Sequence, residues 1–145
     1  MSNAWNVLLV KSENASNKAK QEVRNLKFNF EKLVAQGQQL DSLIEDYHQK
    51  LISIQKRSHS SSEGTSYRNF IVQLENLKHR SIQQVTESKQ LLESAKLKLT
   101  DIERERLKYE SLVDRANTQQ VKTNASIESK AYDDQGTLQY HWKQK

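Results

Sequence analysis

Four histidines, His48, His59, His79 and His141, are the side chains in this 145-residue chain best suited to metal ligation or proton transfer. None lies four residues from another, so no helix can present the His pair that grips zinc on one face. Cysteine is absent, which removes thiolate metal sites, disulfides and cysteine nucleophiles together. Asp101, Glu103, Glu105 and Glu110 could supply paired carboxylates for acid–base work, but Arg104, Arg106 and Lys108 interleave with them. That spacing makes i, i+3 and i, i+4 ion pairs on a solvated helix face. No GxxxxGK(S/T), GxGxxG or GxSxG run occurs, so there is no phosphate-cradling loop or nucleophile elbow. An enzyme is not expected, nor is a cofactor or a metal.

Binding chemistry is the next class to test. Lys and Arg number 23 against 18 Asp and Glu, a net charge of +5. Basic residues interleaved with aromatics could bind single-stranded nucleic acid. Here Phe30, Tyr47, Tyr67, Phe70 and Tyr109 fall on apolar seams where core packing explains them. No block of five or six like charges forms a basic arm either. Nucleic acid is therefore not an expected partner. The longest apolar run, Val7–Val10, is far short of the ~20 residues of a membrane span, so direct membrane insertion is not expected. It is also too short for a signal segment, and the flank Met1-Ser2-Asn3-Ala4 is not basic. Ser2-Asn3-Ala4 fits an expression-tag remnant and carries no functional argument.

The elements that position these residues follow from patterning. Hydrophobic residues make up 34% of the chain, against ~45–50% in ordinary globular domains. A compact domain would lack interior, whereas long helices need only a narrow apolar stripe. Proline is absent and glycine occurs three times, too few turn formers for an all-β fold. From Ala19 a seam runs Val23, Leu26, Phe30, Leu33, Gly37, Leu40, Ile44, Tyr47, Leu51, Ile54. Its alternating steps of four and three are coiled-coil heptads. A Ser-rich polar stretch, residues 58–66, reads as a loop, with Thr65 or Ser66 placed to cap the next helix.

The second seam reads Tyr67, Phe70, Leu74, Leu77, then Ser81, Val85, Ser88, Leu92, Ala95, Leu99, Ile102, weakening through Arg106, Tyr109, Val113 and Ala116. Leu77–Ser81–Val85 takes two steps of four, a stutter. The expected fold is all-α: an antiparallel coiled-coil hairpin over residues 1–117, with helix 1 about 5–57, the loop at 58–66 and helix 2 about 67–117 or beyond. Residues 118–145 form a polar tail expected to fray or be disordered. A turn near Ser61 makes Leu51 face Ile71, Phe30 face Leu92 and Val23 face Leu99. It sets Ser88 opposite Leu33/Val34 and Ser81 opposite Leu40/Asp41, a thinly packed centre.

Near the loop, Leu43, Ile44, Tyr47, Leu51 and Ile52 meet Tyr67, Phe70, Ile71, Val72, Leu74 and Leu77. Two helices cannot bury all of these. The surplus should form an exposed apolar patch, and such patches mark partner sites. The bland alternative is a tightened turn.

The run Tyr67-Arg68-Asn69-Phe70-Ile71-Val72-Gln73-Leu74-Glu75-Asn76-Leu77 resembles the Tyr-x-x-Phe-Ile-x-x-Leu-Glu element of the flagellar export protein family FliJ. Gln39-Leu40, Leu43-Ile44 and Tyr47-x-x-x-Leu51 are similar to that family's segment before the loop, where Tyr usually stands in place of Leu51. The resemblance implies a cytoplasmic component of the flagellar type III export apparatus, serving motility and peripheral to the inner membrane through that apparatus. It implies a coiled coil like the central gamma stalk of rotary ATPases and a monomer in isolation. Such a protein binds the hexameric export ATPase FliI, promotes its ring assembly, couples it to the export gate protein FlhA and escorts export chaperones.

Carried onto this chain, the gate and chaperone site comprises Ile44, Tyr47, Leu51, Phe70, Leu74 and Leu77. Lys11, Lys18, Lys20, Arg24 and Lys27 offer an ATPase-facing surface on charge alone. The competing reading is a structural coiled-coil adaptor, either the equivalent stalk of a virulence type III secretion system or an unrelated scaffold.

Overall fold

A computed structural model describes residues 2–57 and 61–144, with side-chain surroundings for residues 4–57 and 62–136. Two helices account for all of them: α1, Ser2–Arg57, and α2, Ser61–Gln144. They pack against each other as an antiparallel hairpin. The absence of proline lets both run without a break, and the heptad stripe gives each a face to bury.

The ends of the elements differ from the sequence expectation. Residues 58–60 of the expected loop lie outside the described residues, and 61–66 are helical. In the first turn of α2 Gly64 is buried, with Leu51 Cδ1 4.0 Å from where its Cβ would stand. Ser66 does not cap the helix; its hydroxyl donates to the Ser62 carbonyl at 3.1 Å, inside the helix. At the other end, the stretch expected to fray is helix as far as Gln144. Only Gly136 interrupts its helix-compatible residues, and one Gly costs ~1 kcal/mol. Every side chain from Asn117 to Gly136 is exposed, so that stretch has no packed face.

The hairpin divides into two units. In the unit Ala19–Leu99, α1 buries or half-buries every seam position expected of it, from Ala19 to Ile54. On α2 the least exposed positions are Gly64, Tyr67, Ile71, Leu74, Lys78, Ser81, Val85, Ser88, Leu92, Ala95 and Leu99. These steps alternate three and four without a stutter. The expected seam positions Phe70 and Leu77 are therefore corrected to Ile71 and Lys78. Ile54, Ile71, Leu74 and Leu92 are the apolar anchors, each 4–5% exposed. Full burial of such side chains is worth ~1.5–3 kcal/mol apiece. Between them the buried seam positions are small, Gly37, Ser81 and Ser88, beside half-buried Leu33, Leu40 and Val85.

The unit Met1–Lys18 with Thr100–Lys145 has a more polar interior. Ser16 is fully buried and its hydroxyl donates to the Glu103 carboxylate. Arg106 gives two N–H groups to the same carboxylate, at 2.9 and 3.1 Å, and a third to Glu110 at 2.9 Å. The Glu103 hydrogen bond, opposed by desolvation and helped by the charges of Glu103 and Glu110, holds the guanidinium above its ordinary pKa. Trp5 covers Tyr109, with ring centroids 6.5 Å apart. Val113 closes this seam at 9% exposure.

Candidate functional site

The site near the hairpin turn arises from one exchange in the α2 seam. Lys78 follows Leu74 by four residues and precedes Ser81 by three, so the heptad carries it inward. A lysine fits there because Gly37 stands opposite. A Cβ on Gly37 would lie 3.2 Å from Ser81 Oγ and 3.3 Å from Lys78 Nζ. The lysine runs its stem along the seam, as long charged side chains do. Its ammonium donates to the Gly37 carbonyl at 3.1 Å and to Asp41 Oδ2 at 2.9 Å. With Lys78 taking the seam, Leu77 turns outward and is 48% exposed. Phe70, one heptad earlier, shares that flank at 38% exposure.

The six expected gate-site residues thus separate into two groups. Leu74 is interior at 4% exposure and offers no surface. Ile44, Tyr47 and Leu51 are half-buried seam residues of α1, and Phe70 and Leu77 are the accessible ones. Tyr47 joins the two helices: its ring lies 4.6 Å from Phe70 and 5.7 Å from Tyr67, with Lys50 Nζ 4.9 Å from its centroid. Tilted aromatic pairs at such distances add ~0.5–1.5 kcal/mol beyond area burial. Leu77 meets Leu40 and Leu43 across an open groove of about 520 Å³, edged by Arg80, Gln36 and Gln84. Arg80, Gln84 and Gln36 escaped the sequence reading; their signal was an i, i+3 and i, i+7 spacing from Leu77 for the first two and an i, i+7 spacing to Leu43 for Gln36. The opposite flank is polar, with the Asp41–Lys78 ion pair at 2.9 Å and His48 Nε2 3.8 Å from Glu75. The unit therefore carries one apolar flank and one polar flank.

The five basic residues do not form one described cluster. Lys11 and Lys18 lie in the first unit; Lys20, Arg24 and Lys27 lie in the second, and all five are exposed. Along α1 the latter three follow at i, i+4 and i+7, one stripe of the helix. The interleaved charges of α2 behave as the spacing predicts for Arg106, which pairs with Glu103 and Glu110. Glu103 departs from the solvated-face expectation by turning in to Ser16. Among the described residues no group of three or more His, Asp or Glu is placed to hold a metal ion. No described helix is long and apolar enough to cross a membrane.

Comparison with protein families finds one described as "Flagellar FliJ protein", matching residues 2–145. No curated protein and no solved structure matches significantly.

Proposed function

Because the chain belongs to the flagellar FliJ protein family, whose members are components of the flagellar export apparatus, we propose that it is the stalk-like coupling protein of that apparatus. In this reading it binds the hexameric export ATPase, promotes ring assembly, connects the ring to the export gate and escorts emptied chaperones. The exposed flank made by Phe70 and Leu77 beside Leu43 is the observation that supports gate docking. A side chain that already packs in the seam cannot anchor a partner without unfolding the hairpin, so Leu74 leaves the docking set. Tyr47, half-buried beneath Phe70, shapes the surface; Ile44 and Leu51 support it from the seam. A small set of accessible apolar and aromatic anchors typically dominates an interface.

The basic side chains serve the ATPase in the same proposal: Lys11 and Lys18 in one unit and, separately, Lys20, Arg24 and Lys27 in the other. Exposed charges act mainly on association rate and are screened by salt. The chain supplies no phosphate-binding loop, so any effect on nucleotide hydrolysis passes through assembly or occupancy of the ring.

The experiment is a binding comparison of Phe70→Ala/Leu77→Ala with wild type, against the cognate gate and the cognate ATPase. Lost gate binding with retained ATPase binding and unchanged helicity is expected. Unaltered gate binding would overturn the docking assignment.

A further inference from the structure

At the centre of the unit Ala19–Leu99, α2 brings mostly small or polar side chains to the seam, while α1 brings the half-buried Phe30, Leu33 and Leu40. Gly37, Ser81 and Ser88 occupy seam positions there, and the Lys78 ammonium binds the Gly37 carbonyl and Asp41 across the helices, while the Tyr47 ring on Phe70 and Tyr67 and the His48–Glu75 contact lie nearer the turn. A lone polar residue in a coiled-coil seam is a known way to specify register at a cost in stability. The alternative register is also well matched. Sliding α2 one helical turn toward the hairpin end sets Leu51 against Ile71, Phe30 against Leu92 and Val23 against Leu99. It also places Val85 over Gly37 and Ser81 over Leu40, so large still meets small. The slack for this slide is present in the sequence, because the first turn of α2 is Ser61-Ser62-Glu63-Gly64-Thr65. That turn is rich in poor helix formers, and melting it leaves Thr65 or Ser66 as a fresh N-cap.

We propose that this unit has two registers one helical turn apart, and that Lys78 on Gly37 and Asp41 is the latch that holds the observed one. Ratchets of one turn between packed helices are a recognised form of conformational switch. Here the switch would remodel the apolar flank. Releasing the latch carries Leu77 from Leu43 to the level of Tyr47, and Phe70 from Tyr47 to the level of Leu51. The groove exists in the latched register alone. This last consequence rests on the docking reading above; the two registers do not.

The absence of native cysteine makes disulfide trapping a clean test. Val23→Cys/Ala95→Cys reports the latched register, because the Gly37–Ser81 pairing sets Val23 at the level of Ala95. Val23→Cys/Leu99→Cys reports the shifted one. Each pair is oxidised mildly in the wild-type background, with Lys78→Met, which keeps the stem, and with Asp41→Ala, which removes the carboxylate that Lys78 Nζ meets at 2.9 Å. Circular dichroism confirms that each variant is folded.

The 23–95 bond should dominate in the wild-type background. The 23–99 bond should rise by about tenfold in both latch variants, the scale of one charge-assisted hydrogen bond. A 23–99 yield unmoved by either folded variant overturns the latch. The two trapped forms are then compared for binding the cognate export gate. Binding by the 23–95 form alone supports the switch, and equal binding by both removes its regulatory role. If neither form binds while the disulfide pattern is as expected, the docking reading fails and the two registers stand.

Discussion

Leu74→Ala and Phe70→Ala differ by one helical turn in position and should differ by a wide margin in cost. Leu74 is 4% exposed, so truncation removes three buried carbons, worth ~0.8 kcal/mol each by transfer. The void left between two helices can partly collapse, which places the total near ~2–3 kcal/mol, the low end for buried Leu→Ala. Phe70 is 38% exposed and keeps one ring contact, with Tyr47 at 4.6 Å. Losing that pair and the covered part of the ring should cost only ~1–2 kcal/mol. Leu77, at 48% exposure, should cost less still. The assay is urea denaturation followed by circular dichroism, with midpoints compared at equal slope. Phe70→Ala as costly as Leu74→Ala would refute the inward placement of Ile71 and Lys78. So would a Leu74→Ala cost below about 0.5 kcal/mol, the scale of an ordinary surface change.

Ser16→Ala removes the hydroxyl that donates to Glu103 but leaves Arg106 on that carboxylate, so a loss of ~1–2 kcal/mol is expected by denaturation; a neutral result would mean that Ser16 contributes only its size. Ending the chain after Ala116 removes a stretch whose described side chains are all exposed, and the unfolding free energy of the remainder should change by no more than ~0.5 kcal/mol; a large drop would reveal packing of the extension. Burial first, and then the Glu105 charge and hydrogen bond, raise the Tyr109 phenol above its ordinary value of 10.0. Its stabilisation is therefore complete below about pH 10 and lost as pH rises through the folded value. Wild type should lose more stability than Tyr109→Phe between pH 9 and the alkaline limit, read by urea denaturation followed by circular dichroism, and identical alkaline profiles would contradict the shift.

The α1 seam could be read from spacing because each of its positions except Gly37 carries an apolar side chain at heptad intervals, and periodicity alone then defines the buried face. The hairpin followed from two such stripes and a Ser-rich break. The candidate surface was legible as a surplus, more apolar side chains near the turn than two helices can cover.

Which members of that surplus are outside was not legible. Phe70/Leu77 and Ile71/Lys78 each fit a heptad, and residue type favours the first pair. Tertiary structure selects the second, because Gly37 on the facing helix leaves room for a lysine stem and supplies a carbonyl to its ammonium. Register was misread for a related reason: the expected pairing set Ser81 opposite Leu40/Asp41, whereas the structure sets it against Gly37, about one turn away. Helical periodicity is unchanged by sliding one helix a full turn along the other, so Ser81 could face Leu40 or Gly37 without altering either stripe. The pairing depends on where the chain turns, and in the first turn of α2 Gly64 is buried beside Leu51. Local propensity gives no hint of that contact. Sequence determined the kind of seam each helix carries; only the packed pair decided its register, and with it which apolar side chains face solvent.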